Sequence, residues 1–322
     1  MDFFTKIDIP TTDFKIDYTS HLAFFGSCFA DNISALFAER KFNTLANPFG
    51  TVYNPVSLAN QMRTIAEGKV FGEEDIFQGT RCDCLWHCWQ AHSSLSGHTR
   101  EECTEKLNTA VSQARDFLQK TSTVFITFGT AFVYYLKDNG KPVSNCHRQD
   151  PNLFTRRMIS IDEATEAIRE IVTSIRQLNQ NAHTVFTVSP LRHLSDGAHN
   201  NTLSKATLQL AINSTPEKTD AEYFPSYEIV MDELRDYRFY DSDMIHLSKT
   251  AEEHIFERMI SVYCDDRTRE NISKIETFMK MANHRIQDEN SPISQEFRKK
   301  IKAQAAELEK QIPGLNLNNE KA

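Results

Sequence analysis

The chain has 322 residues, enough to bury a full core in one large domain or in one domain with appendages. Hydrophobic residues make up 40% and charged residues 25%, an ordinary balance for a soluble globular protein. The formal net charge of −8 argues against nucleic acid as the main partner, because phosphate binding needs a concentrated basic surface. No run approaches the roughly 18 apolar residues of a membrane span, and Asp2 and Asp8 stand where a signal peptide would carry positive charge. Seven cysteines, an odd number, in a chain too long to need disulfide staples fit a reducing compartment. A cytoplasmic protein is expected, with no membrane association.

The first apolar run, residues 22–25, predicts a buried strand that ends at Gly26-Ser27. A helical pattern follows over 31–40, with Ile33, Leu36 and Phe37 on one face. Residues 44–46 predict a short second strand. Cys82, Cys84 and Cys88, with Leu85 and Trp86 among them, read as a strand rather than a zinc site, because the Cys-x-Cys-x₃-Cys run matches poorly the two distant Cys-x₂₋₄-Cys pairs of structural zinc. A helix is predicted over 100–118, a strand over 124–128, a helix over 161–178 opening on Asp162 and Glu163, and a strand over 184–188. Strands alternating with helices imply a parallel sheet covered on both faces. Beyond about residue 265 the texture turns charged and helical, over 272–281 and 292–312. A catalytic domain over 1–265 and a C-terminal helical extension over 266–322 are expected. The extension is read as packing on the domain, with an oligomerisation helix as the alternative; the oligomeric state stays open.

Two segments can carry chemistry. Ser27 falls at the carboxyl end of a strand and at a helix N-terminus, the edge where open α/β sheets bind ligands. The plain alternative is a helix cap, a common use of serine. Asp243 and His246 lie three apart in a loop before a late helix, a spacing that lets the carboxylate reach Nδ1 and turn Nε2 toward a nucleophile. Arg192 and His193 follow Ser189-Pro190 at the end of a strand and should face the same edge, where Arg192 could bind a substrate carboxylate or phosphate. Asn200, Asn201, Ser204 and Lys205 read as a polar loop near that cleft.

A Gly-Ser after the first strand and an Asp-x-x-His before a late helix resemble the SGNH or GDSL hydrolases. Gly26-Ser27-Cys28-Phe29-Ala30 spells the name motif of the GSCFA family. The segments 47–55, 128–131, 145–148 and 189–193 look like further blocks of that family. The resemblance implies a flavodoxin-like, three-layer α/β/α fold with about five parallel strands. It also implies Ser27, Asp243 and His246 as a triad, with no cofactor and no metal. For the oxyanion hole it implies the N–H of Ser27, Gly50 after the second strand, and an asparagine after the third. The asparagine is absent, since the chain reads Gly129-Thr130-Ala131-Phe132 there. Losing one such donor costs about 100- to 1,000-fold in rate. Substitutes are expected from Asn145 first, then His147, then the backbone at Gly129 and Thr130, with Asn47 and the Thr130 side chain also in reach. The function so implied is removal of a small acyl group, such as acetyl, from a carbohydrate-like or other alcohol oxygen. The alternatives are an O-acyltransferase on the same triad and a non-catalytic binding module on the same fold.

Overall fold

The computed structural model describes residues 5–80, 84–215, 221–284 and 291–317. Strand β1 (His21–Gly26) leads into helix α1 (Cys28–Glu39), β2 (Asn43–Ala46) and α2 (Pro55–Glu67). A two-residue hairpin, β3 (Phe77–Gln78) with β4 (Trp86–His87), precedes α3 (Arg100–Leu118) and β5 (Thr123–Phe128). Next come β6 (Phe132–Leu136), β7 (Pro142–Val143) and β8 (Phe154–Met158), then α4 (Ile161–Leu178), β9 (His183–Val188), α5 (Ala198–Asn213) and β10 (Ala221–Tyr223). A short α6 (Ser226–Glu228) runs into a π turn, and α7 (Lys249–Tyr263), α8 (Asp266–Ala282) and α9 (Pro292–Gln311) complete the described helices.

The central sheet is parallel throughout, in the order β2-β1-β5-β9-β10. The three central strands β1, β5 and β9 are buried almost throughout because helices cover both faces. On β1 the side chains alternate: Ala23 and Phe25 join the core under α2, α3, α4 and α5, while Leu22 and Phe24 join the core under α1 and α7. The fold is therefore a three-layer α/β/α sandwich. The chain leaves β1 toward β2 on one side and returns to β5 on the other. Order reverses between β1 and β5, and such a reversal opens a crevice at the carboxyl ends of the strands.

Helices α8 and α9 bury Ile272, Ile275, Phe278 and Leu308 in the same core as Phe37 and Phe256. Arg40, just past the end of α1, pairs with Glu253 of α7 at 2.6 Å and with Glu276 of α8 at 2.7 Å. The C-terminal helices thus close the outer side of this face.

Between β5 and α4 the chain inserts an antiparallel sheet of order β7-β6-β8. It rises above the carboxyl edge and walls the crevice on one side. Among the described residues no helix is long and apolar enough to cross a membrane.

Candidate active site

The turn from β1 into α1 places Ser27 at the switch between β1 and β5. Gly26 makes that turn at φ +121°, and any Cβ there would collide with the Thr127 carbonyl of β5. The two strand ends are pinned together because glycine lets them approach. Asn47, itself at φ +36°, clamps the same corner. Its Oδ1 accepts the Gly26 N–H at 2.8 Å, and its Nδ2 donates to Asp31 Oδ1 at 2.7 Å.

Ser27 is the N-cap residue of α1 by position, with extended backbone, but its side chain makes no capping hydrogen bond. It is 1% exposed, and its Oγ has no hydrogen-bond partner among the described residues. A serine used only as a cap accepts an N–H from the first helical turn. Here a buried hydroxyl, costly to leave unpaired, is left to whatever enters the cavity it lines.

Across that cavity, His246 sits in the loop before α7. Asp243 Oδ1 accepts the N–H groups of Ile245 (2.8 Å) and His246 (2.9 Å), an Asx turn that fixes the loop. Asp243 Oδ2 meets His246 Nδ1 at 2.5 Å. The imidazole hydrogen bond, followed by those two N–H groups, holds the Asp243 carboxyl down to about 2. It therefore stays ionised at neutral pH, and a carboxylate on Nδ1 leaves Nε2 as the acceptor nitrogen. Both side chains are about half exposed. Ser27 and His246 line one cavity of about 550 Å³, and no hydrogen bond joins Ser27 Oγ to His246 in this structure.

Other residues expected at the site divide. Thr130, Asn145 and Arg192 line the cavity. The Asn145 Oδ1 accepts the His147 N–H at 2.8 Å. Gly50 is not on the cavity wall: its N–H donates to Asn47 O at 2.7 Å in a tight turn whose open side is filled by His92. Asn47 is committed to the clamp. His147, at φ +47°, lies buried behind the wall, with Nε2 on Cys88 O at 2.8 Å, Nδ1 on Ser93 Oγ at 3.1 Å and its ring stacked on His87. The N–H groups of Gly129 and Thr130 both donate to Tyr53 O, at 2.8 and 2.9 Å, and the Thr130 hydroxyl bonds Ser204 Oγ and the Phe132 N–H. Of the cysteine run, Cys84 is exposed and Cys88 is buried; Cys82 lies outside the described residues.

Sequence reasoning missed several wall residues. Tyr53 and Asn54 come from the loop into α2, Phe132 and Tyr134 from β6, and Arg156 from β8. Arg156 lies over the Phe132 ring and pairs with Asp196 at 2.6 Å. Asn54 was signalled only as part of an Asn-Pro turn; it caps α2 through Oδ1 and lines the cavity as well. Asn201, Ser204 and Lys205 were read as a loop and lie on α5, because Gly197 starts the helix earlier than the polar sequence suggests.

Lys205 is 1% exposed and lies under the site, with Nζ donating to Gly129 O at 2.7 Å and Ser189 O at 2.6 Å, the carbonyls just beyond β5 and β9. Burial first, then the Arg192 charge, pushes its ammonium down to about 7. Its folded value lies below its unfolded one, so between about pH 7 and 10 the unfolded chain binds the extra proton. Stability from this group therefore rises with pH across that window. In Lys205→Met this contribution is absent. Urea unfolding at a series of pH values is expected to show wild type gaining on the variant by a few kcal/mol from pH 7 to 10. A pH-independent difference contradicts the depressed ammonium.

A model of the GSCFA family matches residues 21–259, from the first residue of β1 into α7, and leaves α8 and α9 outside. A search of curated proteins found no match.

Proposed function

The chain belongs to the GSCFA family, and from that premise and the cavity we propose that it is a serine-dependent esterase. Ser27 attacks the carbonyl of a small acyl ester, His246 takes its proton, and Asp243 holds the imidazole in the productive tautomer. His246 then returns the proton to the departing alcohol and afterwards activates water against the acyl-serine. No cofactor enters these steps.

The observation that carries this reading is a buried, unpartnered Ser27 hydroxyl sharing a cavity with an imidazole whose Nδ1 is already bound by a carboxylate. The lining of Tyr53, Phe132 and Tyr134 beside Asn54, Asn145 and Ser144 suits a carbohydrate-like alcohol, which presents both C–H faces and hydroxyls. The half-exposed His246 favours hydrolysis over transfer, because water has ready access to the base.

The test is acetate release from 4-nitrophenyl acetate and from O-acetylated oligosaccharides, with and without an added sugar acceptor. Release that depends on Ser27 and is unchanged by the acceptor supports the esterase. Acyl product on the acceptor moves the assignment to transfer, and no turnover of any ester rejects the catalytic reading.

A further inference from the structure

We propose that His193 Nε2–H is the side-chain donor that receives the oxyanion formed at Ser27. The inference rests on the serine mechanism proposed above and supplies the donor that the Gly129-Thr130-Ala131-Phe132 segment lacks.

Gly129 marks the place. A Cβ built there would stand 3.3 Å from His193 Nε2, 3.5 Å from Ser27 Cβ and 3.2 Å from Tyr53 Cδ1. The missing side chain thus leaves a space bounded by the proposed nucleophile, an imidazole nitrogen and an aromatic edge. Most candidates expected from sequence are already engaged. The Ser27, Gly50, Gly129 and Thr130 N–H groups donate to backbone carbonyls, and both ring nitrogens of His147 are bonded elsewhere. Asn145 lines the cavity, with its Oδ1 on the His147 N–H, but it is not among the groups nearest the space at Gly129.

The His193 ring is held without being used up. Its ring meets Tyr53 edge-on, with centroids 5.7 Å apart, and its main-chain N–H donates to Asn201 Oδ1 at 2.9 Å. Neither ring nitrogen has a hydrogen-bond partner among the described residues. Burial, followed by the nearby Lys205 charge, lowers its affinity for a proton; Arg156 acts the same way and Asp196 opposes both. The ring is therefore neutral near pH 7 and can donate from one nitrogen without bringing a full charge to the resting site.

In the step, the Ser27 Oγ–H bond breaks and its proton goes to His246 Nε2, while Oγ bonds the carbonyl carbon. The carbonyl π pair moves onto oxygen, which takes the His193 Nε2–H hydrogen bond. When the alcohol leaves with the proton from His246, the carbonyl re-forms. His193 keeps its own proton throughout.

The test is steady-state kinetics on 4-nitrophenyl acetate, with fluorophosphonate labelling and thermal melting as controls. His193→Ala is expected to lower kcat by about 100-fold or more, with KM within about threefold, and His193→Gln, which keeps an N–H at similar reach, to recover part of the loss. Gly129→Ala keeps the His193 imidazole but sets a methyl 3.3 Å from its Nε2, in the space the oxyanion would take, so it is expected to lower kcat at least about tenfold. Wild-type turnover and labelling combined with His193→Ala and Gly129→Ala both within about threefold of wild type overturn the proposal alone. A His193→Gln enzyme as inactive as His193→Ala that has also lost the acid limb of its pH profile makes His193 a base and overturns it too. Absence of both turnover and labelling in wild type overturns the serine mechanism and this inference with it.

Discussion

Replacing Ser27 by alanine is expected to lower kcat for an acyl ester by about a million-fold, while the protein melts at the wild-type temperature or above it. The two halves of this expectation come from one observation. The Ser27 hydroxyl is buried and makes no hydrogen bond among the described residues, and it does not cap α1 although it stands at the cap position. Removing an unsatisfied buried polar group costs no stability and can return about 1 kcal/mol. Were the serine a structural cap, alanine would cost about 1 kcal/mol and leave chemistry alone. Thermal melts and single-turnover kinetics on the same preparation separate the two roles. Residual rate above solvent hydrolysis is expected, because the rest of the cavity still binds the ester.

Asp243→Asn is expected to lower kcat by about 1,000- to 10,000-fold with little change in KM. Asparagine keeps an oxygen for the Ile245 and His246 N–H groups, so the loop geometry survives. Its amide donates toward Nδ1 instead of accepting from it. The imidazole then carries its proton on Nε2, the nitrogen that must take the proton from Ser27. The half-exposed position of Asp243 places the expected loss at the lower part of that range, since water can replace some of the carboxylate's field. Because the carboxyl is held at about 2, lowering the pH toward 4 leaves it ionised, and Asp243 contributes no limb to the pH profile in that range. Stopped-flow measurement of the acylation step checks the loss directly.

The sheet was legible because its strands are buried on both faces. The runs at 22–25, 124–128 and 184–188 hold only apolar residues and threonine, without alternation, and each is lengthened in the structure by a polar residue at its start or a glycine at its end. The fifth strand, Ala221–Tyr223, escaped because three half-buried residues with Glu222 in the middle give no pattern. Ser27, Asp243 and His246 could be named because each lies beside its own local signal: a strand ending in glycine, or a turn that closes within three residues.

The cavity wall is different. Tyr53, Arg156 and His246 reach one cavity from the loop before α2, from β8 and from the loop before α7, and no short-range pattern encodes that meeting. Gly50 and His147 misled for a related reason. Each sits at positive φ, where the backbone bends away from the direction a strand would give it. Their turns satisfy themselves and face the interior. His193 was placed at the correct edge from its position after Ser189-Pro190, but its approach to Gly129 depends on how α5 and Lys205 seat that loop.

The central claim is that Ser27 is an activated nucleophile, and covalent labelling tests it most directly. Wild-type protein is treated with a serine-directed fluorophosphonate and the modified peptide is located by mass spectrometry. A single adduct on Ser27, formed more slowly in Asp243→Asn and absent in Ser27→Ala, is the predicted result. No adduct, or an adduct that persists in Ser27→Ala, would contradict it.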